Sequence, residues 1–263
     1  MRNFYVDAPW GQIHCRSVPA DASLPLYLIL HQSPLSARNY DRLLPFMTGW
    51  CRPVAIDTPG YGASQAPTGQ WQVADYARAV LRVADALEAE TFHLFGRATG
   101  AVFAFETALL ETGRVRSLVL HGVPIYTAQE RADRLADFAP PYPLDVDGKH
   151  LAWIWARIRS EYPTLDSHLA TCFVADYLVA GSDFAAAYRA IWRYDLSARA
   201  ATGPDIPILL VGGAKDRIAF MHARAVALFA KAEAEWLADG DDFAAERDPQ
   251  AFADLLRRFA HRR

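Results

Sequence analysis

Cysteine is scarce in this chain: Cys15, Cys51 and Cys172 are the only three in 263 residues, and no two of them are closely spaced. That excludes a disulfide framework and a cysteine-based zinc site. No apolar run approaches the roughly 20 residues needed to span a bilayer. The first residues, MRNFYVDAPWGQIHCRS, lack the apolar core of a signal peptide. Neither sign of charge dominates, with 27 Lys+Arg against 30 Asp+Glu and a net of -3. A protein that neutralises phosphates needs a basic stripe, and none is present. The one basic cluster, RRFAHRR at the C-terminus, reads as the solvated end of a helix, where cations suit the dipole. These absences set the expectations: a cytoplasmic setting, no nucleic acid, no membrane, no cofactor and no metal. The partner left is a small-molecule substrate, with a homodimer as an open alternative to a monomer.

What is present is apolar. At 52% hydrophobic content, a chain of this length buries one large core. RNFYVDA and QIHCRSV alternate like two strands joined at Trp10 and Gly11. LYLILH, RPVAID, TFHLFG, RSLVLHG and IPILLVGG are continuous apolar runs of strand length, the mark of strands buried on both faces. Between them lie helical patterns, clearest from Val73 to Leu87. Alternating strands and helices predict an α/β fold with a mostly parallel sheet and helices on both faces. From Tyr126 to about Thr202 no strand is legible, only aromatic-rich helical stretches broken by PPYP at 140–143. This segment is expected to be a helical insertion, a cap, over one end of the sheet. The core domain is then 1–125 and 203–263, with 126–202 as the cap. After it come DIPILLVGGAKD, a helix, the short strand AEAEWLAD and a last helix from about Pro249.

The stretch HLFGRATGAVFAFE, residues 93–106, places a sharp Gly-x-x-x-Gly turn between an apolar strand and a small-residue helix start. With LHQSP (30–34), DTPGYGAS (57–64), LLVGGAKD ending in Asp216, and DGDDFAAERDPQAF (239–252), it forms an ordered set of five motifs. In that order they resemble the α/β-hydrolase superfamily over nearly the whole chain. The resemblance implies an oxyanion-hole turn at LHQSP, a nucleophile elbow at GRATG, an acid at Asp216 and a histidine loop at 239–252. The chain departs from the pattern at its chemical centre. Ala98 stands where the nucleophile belongs, and Asp242 stands where the histidine belongs. Arg97 and Gln32 also differ from the residues common at their positions. A serine–histidine–acid relay therefore loses nucleophile and base together. Natural divergence explains two such changes better than a single engineered knockout, because a second loss adds almost nothing to the first.

Several residues remain candidates. Asp216 and Asp242 are expected to converge, either sharing a proton or separated by His121 or Arg97 as a counter-cation. His121, at the end of a strand facing the cleft, is a candidate replacement base. The resemblance implies backbone N–H donors at Ser33 and Thr99, with His31 bracing the turn and Gln32 beside it. Arg97 and Ala98 line the same site. His150, Trp153 and Arg157 fall at i, i+3 and i+7 on one helix face and offer a base, a ring and a cation to a ligand below. The reading of function is a small-molecule enzyme without a covalent serine. It would use acid/base and oxyanion chemistry (lyase, decarboxylase, isomerase, cyclase or water-mediated hydrolysis) on an apolar or aromatic carbonyl compound. Two alternatives stand beside it: a binding protein that has lost turnover, and a conventional ester or carbon–carbon hydrolase inactivated by substitution.

Overall fold

The computed structural model describes residues 1–138, 142 and 144–261. Of the PPYP stretch only Tyr142 is among them, and the last two arginines of RRFAHRR also lie outside. The elements run β1 (Arg2–Ala8), β2 (Gly11–Ser17), β3 (Leu26–Leu30), β4 (Arg52–Ile56), α1 (Val73–Ala86), β5 (Phe92–Arg97), α2 (Thr99–Leu110) and β6 (Val115–His121). Helices α3 (Ala128–Asp137), α4 (Lys149–Glu161), α5 (Ser167–Ala180), α6 (Ala186–Arg193) and α7 (Leu196–Ala200) follow without an intervening strand. The chain ends with β7 (Ile208–Gly213), α8 (His222–Leu228), β8 (Glu233–Leu237), α9 (Ala244–Arg247) and α10 (Pro249–His261).

The eight strands form one sheet in the order β1-β2-β4-β3-β5-β6-β7-β8. β2 alone runs opposite to the other strands, antiparallel to both β1 and β4; β4, β3, β5, β6, β7 and β8 pair in parallel. The sequence pattern sets this order. In β3 (LYLIL) and β5 every residue is buried, as strands covered on both faces must be. At the rims, β1 and β8 are largely exposed. One apolar cluster packs α1 and α2 against one face of the sheet, and a second packs α10 and the 3-10 turns at 37–47 against the other. Helix α2 is buried all round because α1 and α6 cover the side that faces away from the sheet. A third cluster joins α4 and α5 to Leu35 and Phe243, so the helices between β6 and β7 seat on loops at the C-terminal ends of the strands. In a parallel sheet that end is where ligands bind. No single helix among the described residues is long and apolar enough to cross a membrane.

Candidate functional site

Strand β5 turns into α2 through Ala98, whose backbone sits at φ 49°, ψ -111°. An alanine in that region stores roughly 1–3 kcal/mol of strain, which the surroundings must impose. They do so by close approach. A Cβ on Gly96 would lie 2.3 Å from the Gly100 carbonyl oxygen, and one on Gly100 would lie 2.6 Å from the oxygens of Leu30 and His31. The Ala98 N–H donates to the His121 carbonyl at 3.0 Å, pinning the apex beside β6. The turn is held in place by its neighbours, and the residue at its apex carries only a methyl group.

Beside the apex lies a buried ion bridge. Arg97 Nη2 is 3.0 Å from Asp216 Oδ2 and 2.7 Å from Asp242 Oδ1, and all three side chains are almost fully buried. Its Nη1 reaches the carbonyls of His121 and Gly122, each at 3.3 Å. Burial alone would pull the pKa of Arg97 down; Asp216 and Asp242 outweigh it and hold the guanidinium above its ordinary value. Gly122 makes the bridge sterically feasible, because a Cβ there would sit 2.1 Å from Arg97 Nη1. Of the two expected ways to relieve carboxylate repulsion, the structure takes the counter-cation. Arg97 is therefore not a ligand contact, since its donors point at protein acceptors. Asp242 also accepts from the Tyr162 hydroxyl at 3.2 Å and the Arg217 N–H at 2.9 Å, while Asp216 accepts from the Ile218 N–H at 2.8 Å.

His121 is not the cation. Burial first, and the charge of Arg97 second, hold its pKa well below the ordinary histidine value. Its ring packs on Phe252 at 5.7 Å, and its Nε2 lies 3.7 Å from Asp216 Oδ2 without a hydrogen bond. His31 braces the turn after β3: Nε2 accepts from the Thr58 N–H at 2.9 Å and Nδ1 contacts the Gln32 carbonyl at 3.0 Å. Gln32 is buried and helps line a cavity of about 10 Å³, next to Arg97, His121 and Asp242.

The expected oxyanion donors differ in state. The Ser33 N–H already donates to Thr99 Oγ1 at 2.7 Å, and that hydroxyl donates to Ser33 Oγ at 3.1 Å. The Ser33 N–H is therefore occupied by a side-chain hydroxyl. The Thr99 N–H begins α2 and so has no intrahelical acceptor. Above this turn, the Tyr188 hydroxyl donates to the Ser33 carbonyl.

The helix face 150–153–157 divides. Arg157 donates Nε to the Tyr177 hydroxyl at 3.0 Å, pairs with Glu161 at 3.0 Å, and lies over the rings of Phe138, Trp153 and Phe184. Trp153 packs on Tyr142 and Phe184. His150 accepts from the Asp145 N–H at 3.2 Å and stacks on Tyr142 at 6.4 Å. Glu161 also pairs with Arg217 at 2.7 Å, and Arg217 lies over the Tyr162 ring at 5.1 Å. Glu161, Tyr162, Tyr188 and Arg217 thus join the site unannounced by any motif. Their only signal is chain position, beside Asp216 or at the ends of aromatic-rich helices.

Glu246 is a further buried carboxyl, lining the small cavity behind Arg97. Burial raises its pKa from 4.5 to about 8. Between those values the folded state holds a proton that the unfolded chain releases, so this group makes stability fall as pH rises from 4.5 to about 8. Glu246→Gln keeps a neutral group of the same shape. It is expected to flatten that slope and to be more stable than the parent at pH 8, by roughly 4 kcal/mol at one pKa unit per 1.36 kcal/mol. Urea unfolding at pH 5 and pH 8 measures it; parallel pH profiles for parent and variant contradict the assignment.

The profile of the alpha/beta hydrolase fold family matches residues 25–244. A haloalkane dehalogenase of Mesorhizobium japonicum is 32% identical over 101 residues, which are 38% of this chain and 33% of that protein. A fluoroacetate dehalogenase of a Burkholderia species is 31% identical over 143 residues, 47% of this chain and 46% of that protein. The chain thus matches less than half the length of these curated relatives. Among solved structures, a hydrolase from Pseudomonas aeruginosa superposes with a TM-score of 0.80 at 23% identity, covering 98% of this chain and 97% of that one. An enol-lactonase from Burkholderia xenovorans gives 0.79 at 18% identity, covering 98% and 99%.

Proposed function

The chain belongs to the alpha/beta hydrolase fold family, and from that premise we propose that it binds a neutral, aromatic carbonyl compound between sheet and cap without forming a covalent intermediate. One observation carries the reading: the family's acid and histidine positions, here Asp216 and Asp242, are bridged by Arg97 beside an apex that is Ala98. A bridge of that kind spends the carboxylates on holding the loops together. Nothing then stands at the apex to attack a substrate or to take its proton.

The ligand class follows from charge and shape. Arg157, Arg217 and Arg97 face Glu161, Asp242 and Asp216 in an alternating chain that leads from α4 down to the sheet. Three cations against three anions leave no surplus charge to attract an ion. Aromatic rings pack beside the chain of charges: Tyr188 stacks on Trp192 at 5.5 Å, with Phe138 edge-on to both. Flat rings suit a flat apolar ligand. A carbonyl would find the Thr99 N–H as a donor, with the Tyr188 ring beside it. Acetophenone, followed by tryptophan fluorescence, is expected to bind more tightly than benzoate, and Tyr188→Ala to weaken it about tenfold, or 1.4 kcal/mol. Preference for benzoate, or indifference to Tyr188→Ala, overturns the reading.

A second reading keeps turnover, as the dehalogenase relatives do by name: proton transfer by Asp216, Asp242 and His121. What favours it is the buried His121 Nε2, which has no hydrogen-bond partner among the described residues and lies 3.7 Å from Asp216 Oδ2. Orphaned buried polar atoms are a cost that function sometimes explains. Against it stands Arg97, whose charge opposes a proton on His121.

A further inference from the structure

Away from the cleft, a groove of about 760 Å³ opens between the 3-10 turn at 37–40, α5 and α9. Leu35, Phe173 and Phe243 form its buried apolar floor, and their other faces belong to the cluster under the insertion. The volume falls within the roughly 300–1,000 Å³ typical of small-ligand pockets.

Among the described residues, one cation around it has no hydrogen-bonded or ionic partner. Arg38 is taken by Asp176 at 2.9 Å and by the Cys172 carbonyl at 3.0 Å, and Arg247 by Asp241 at 2.6 Å. Asp41 is spent on both donors of Arg16, at 2.7 and 2.6 Å. Asp166 accepts from the His168 and Leu169 N–H groups that begin α5. Glu246 reaches the floor with more than nine-tenths of its surface buried, and its raised pKa, about 8, leaves it uncharged at neutral pH. Arg42 is that cation, exposed at the rim. A guanidinium fork over an apolar floor matches a carboxylate at the end of an apolar body.

We infer that this groove is a second small-molecule site, separate from the cleft over Ala98, for an apolar molecule bearing one carboxylate. The inference stands whether or not the cleft binds a neutral ligand. Cys172 reports on it directly, because it lines the groove and is partly exposed, whereas Cys15 and Cys51 are buried. The probe is 4-phenylbutyrate, and the readout is the rate at which iodoacetamide alkylates Cys172 in the full chain, followed by peptide mass spectrometry. 4-Phenylbutyrate should slow the reaction, and uncharged 4-phenylbutan-1-ol should need about tenfold more for the same protection. In Arg42→Glu, a surface change that leaves the floor untouched, the protection by the acid should fall by about the same factor. Equal protection by acid and alcohol, protection unchanged in Arg42→Glu, or no protection at all each overturns the assignment.

Discussion

Replacing Arg97 with methionine is expected to destabilise the protein by about 3–5 kcal/mol, because it leaves two buried carboxylates facing each other unpaired. At roughly 2–4 °C per kcal/mol for a chain of this size, the melting temperature should fall by about 10 °C. The bridge itself need not be a net stabiliser, since burying three charges is costly. What makes the single variant severe is the asymmetry between a complete and a broken network. Adding Asp216→Asn and Asp242→Asn to Arg97→Met should therefore recover much of the loss, with amides in place of the orphaned charges. Thermal melts of parent, single and triple variants decide it. A single variant that melts within 2 °C of the parent, a shift worth roughly 1 kcal/mol at most, contradicts the bridge.

The other large effect is one that should fail to appear. Restoring a hydroxyl and an imidazole by Ala98→Ser with Asp242→His writes the family's triad residues back into the chain. Hydrolysis of p-nitrophenyl butyrate is nevertheless expected to stay within about tenfold of the parent, instead of rising by the roughly 10⁶-fold that a working triad contributes. Arg97 still occupies the space beside Asp216 and would set its guanidinium against the new imidazole. The Ser33 N–H still donates to Thr99, so an oxyanion would find one donor fewer. A burst of product from the double variant would show that the elbow needed only its side chains.

How much of this the sequence disclosed depends on distance along the chain. The apolar runs of β3 and β5 and the helical spacing of α1 are local patterns, and the structure places all three as expected. The elbow was legible for the same reason, since Gly96 and Gly100 bracket it within five residues. Arg97 shows where local reading stops. A lone arginine after an apolar strand announces a departure from the family, yet its partners lie 119 and 145 residues away in Asp216 and Asp242. Tyr188 reaching Ser33 across 155 residues left no trace in either motif. His150 shows what spacing leaves open: it has the spacing to share a face with Arg157, and its ring is held by the Asp145 N–H and stacked on Tyr142. Periodicity assigns a face, and only packing decides what that face meets.

The central claim, that this site works without covalent attachment, is tested most directly by intact-protein mass spectrometry after incubation with p-nitrophenyl butyrate and with a fluorophosphonate. Two hydroxyls, Ser33 and Thr99, stand beside the apex and are hydrogen-bonded to each other, so a substitute nucleophile has a definite place to be found. The account predicts an unchanged mass with either reagent and no burst of nitrophenol. An acyl or phosphonyl adduct mapped to Ser33 or Thr99 would contradict it.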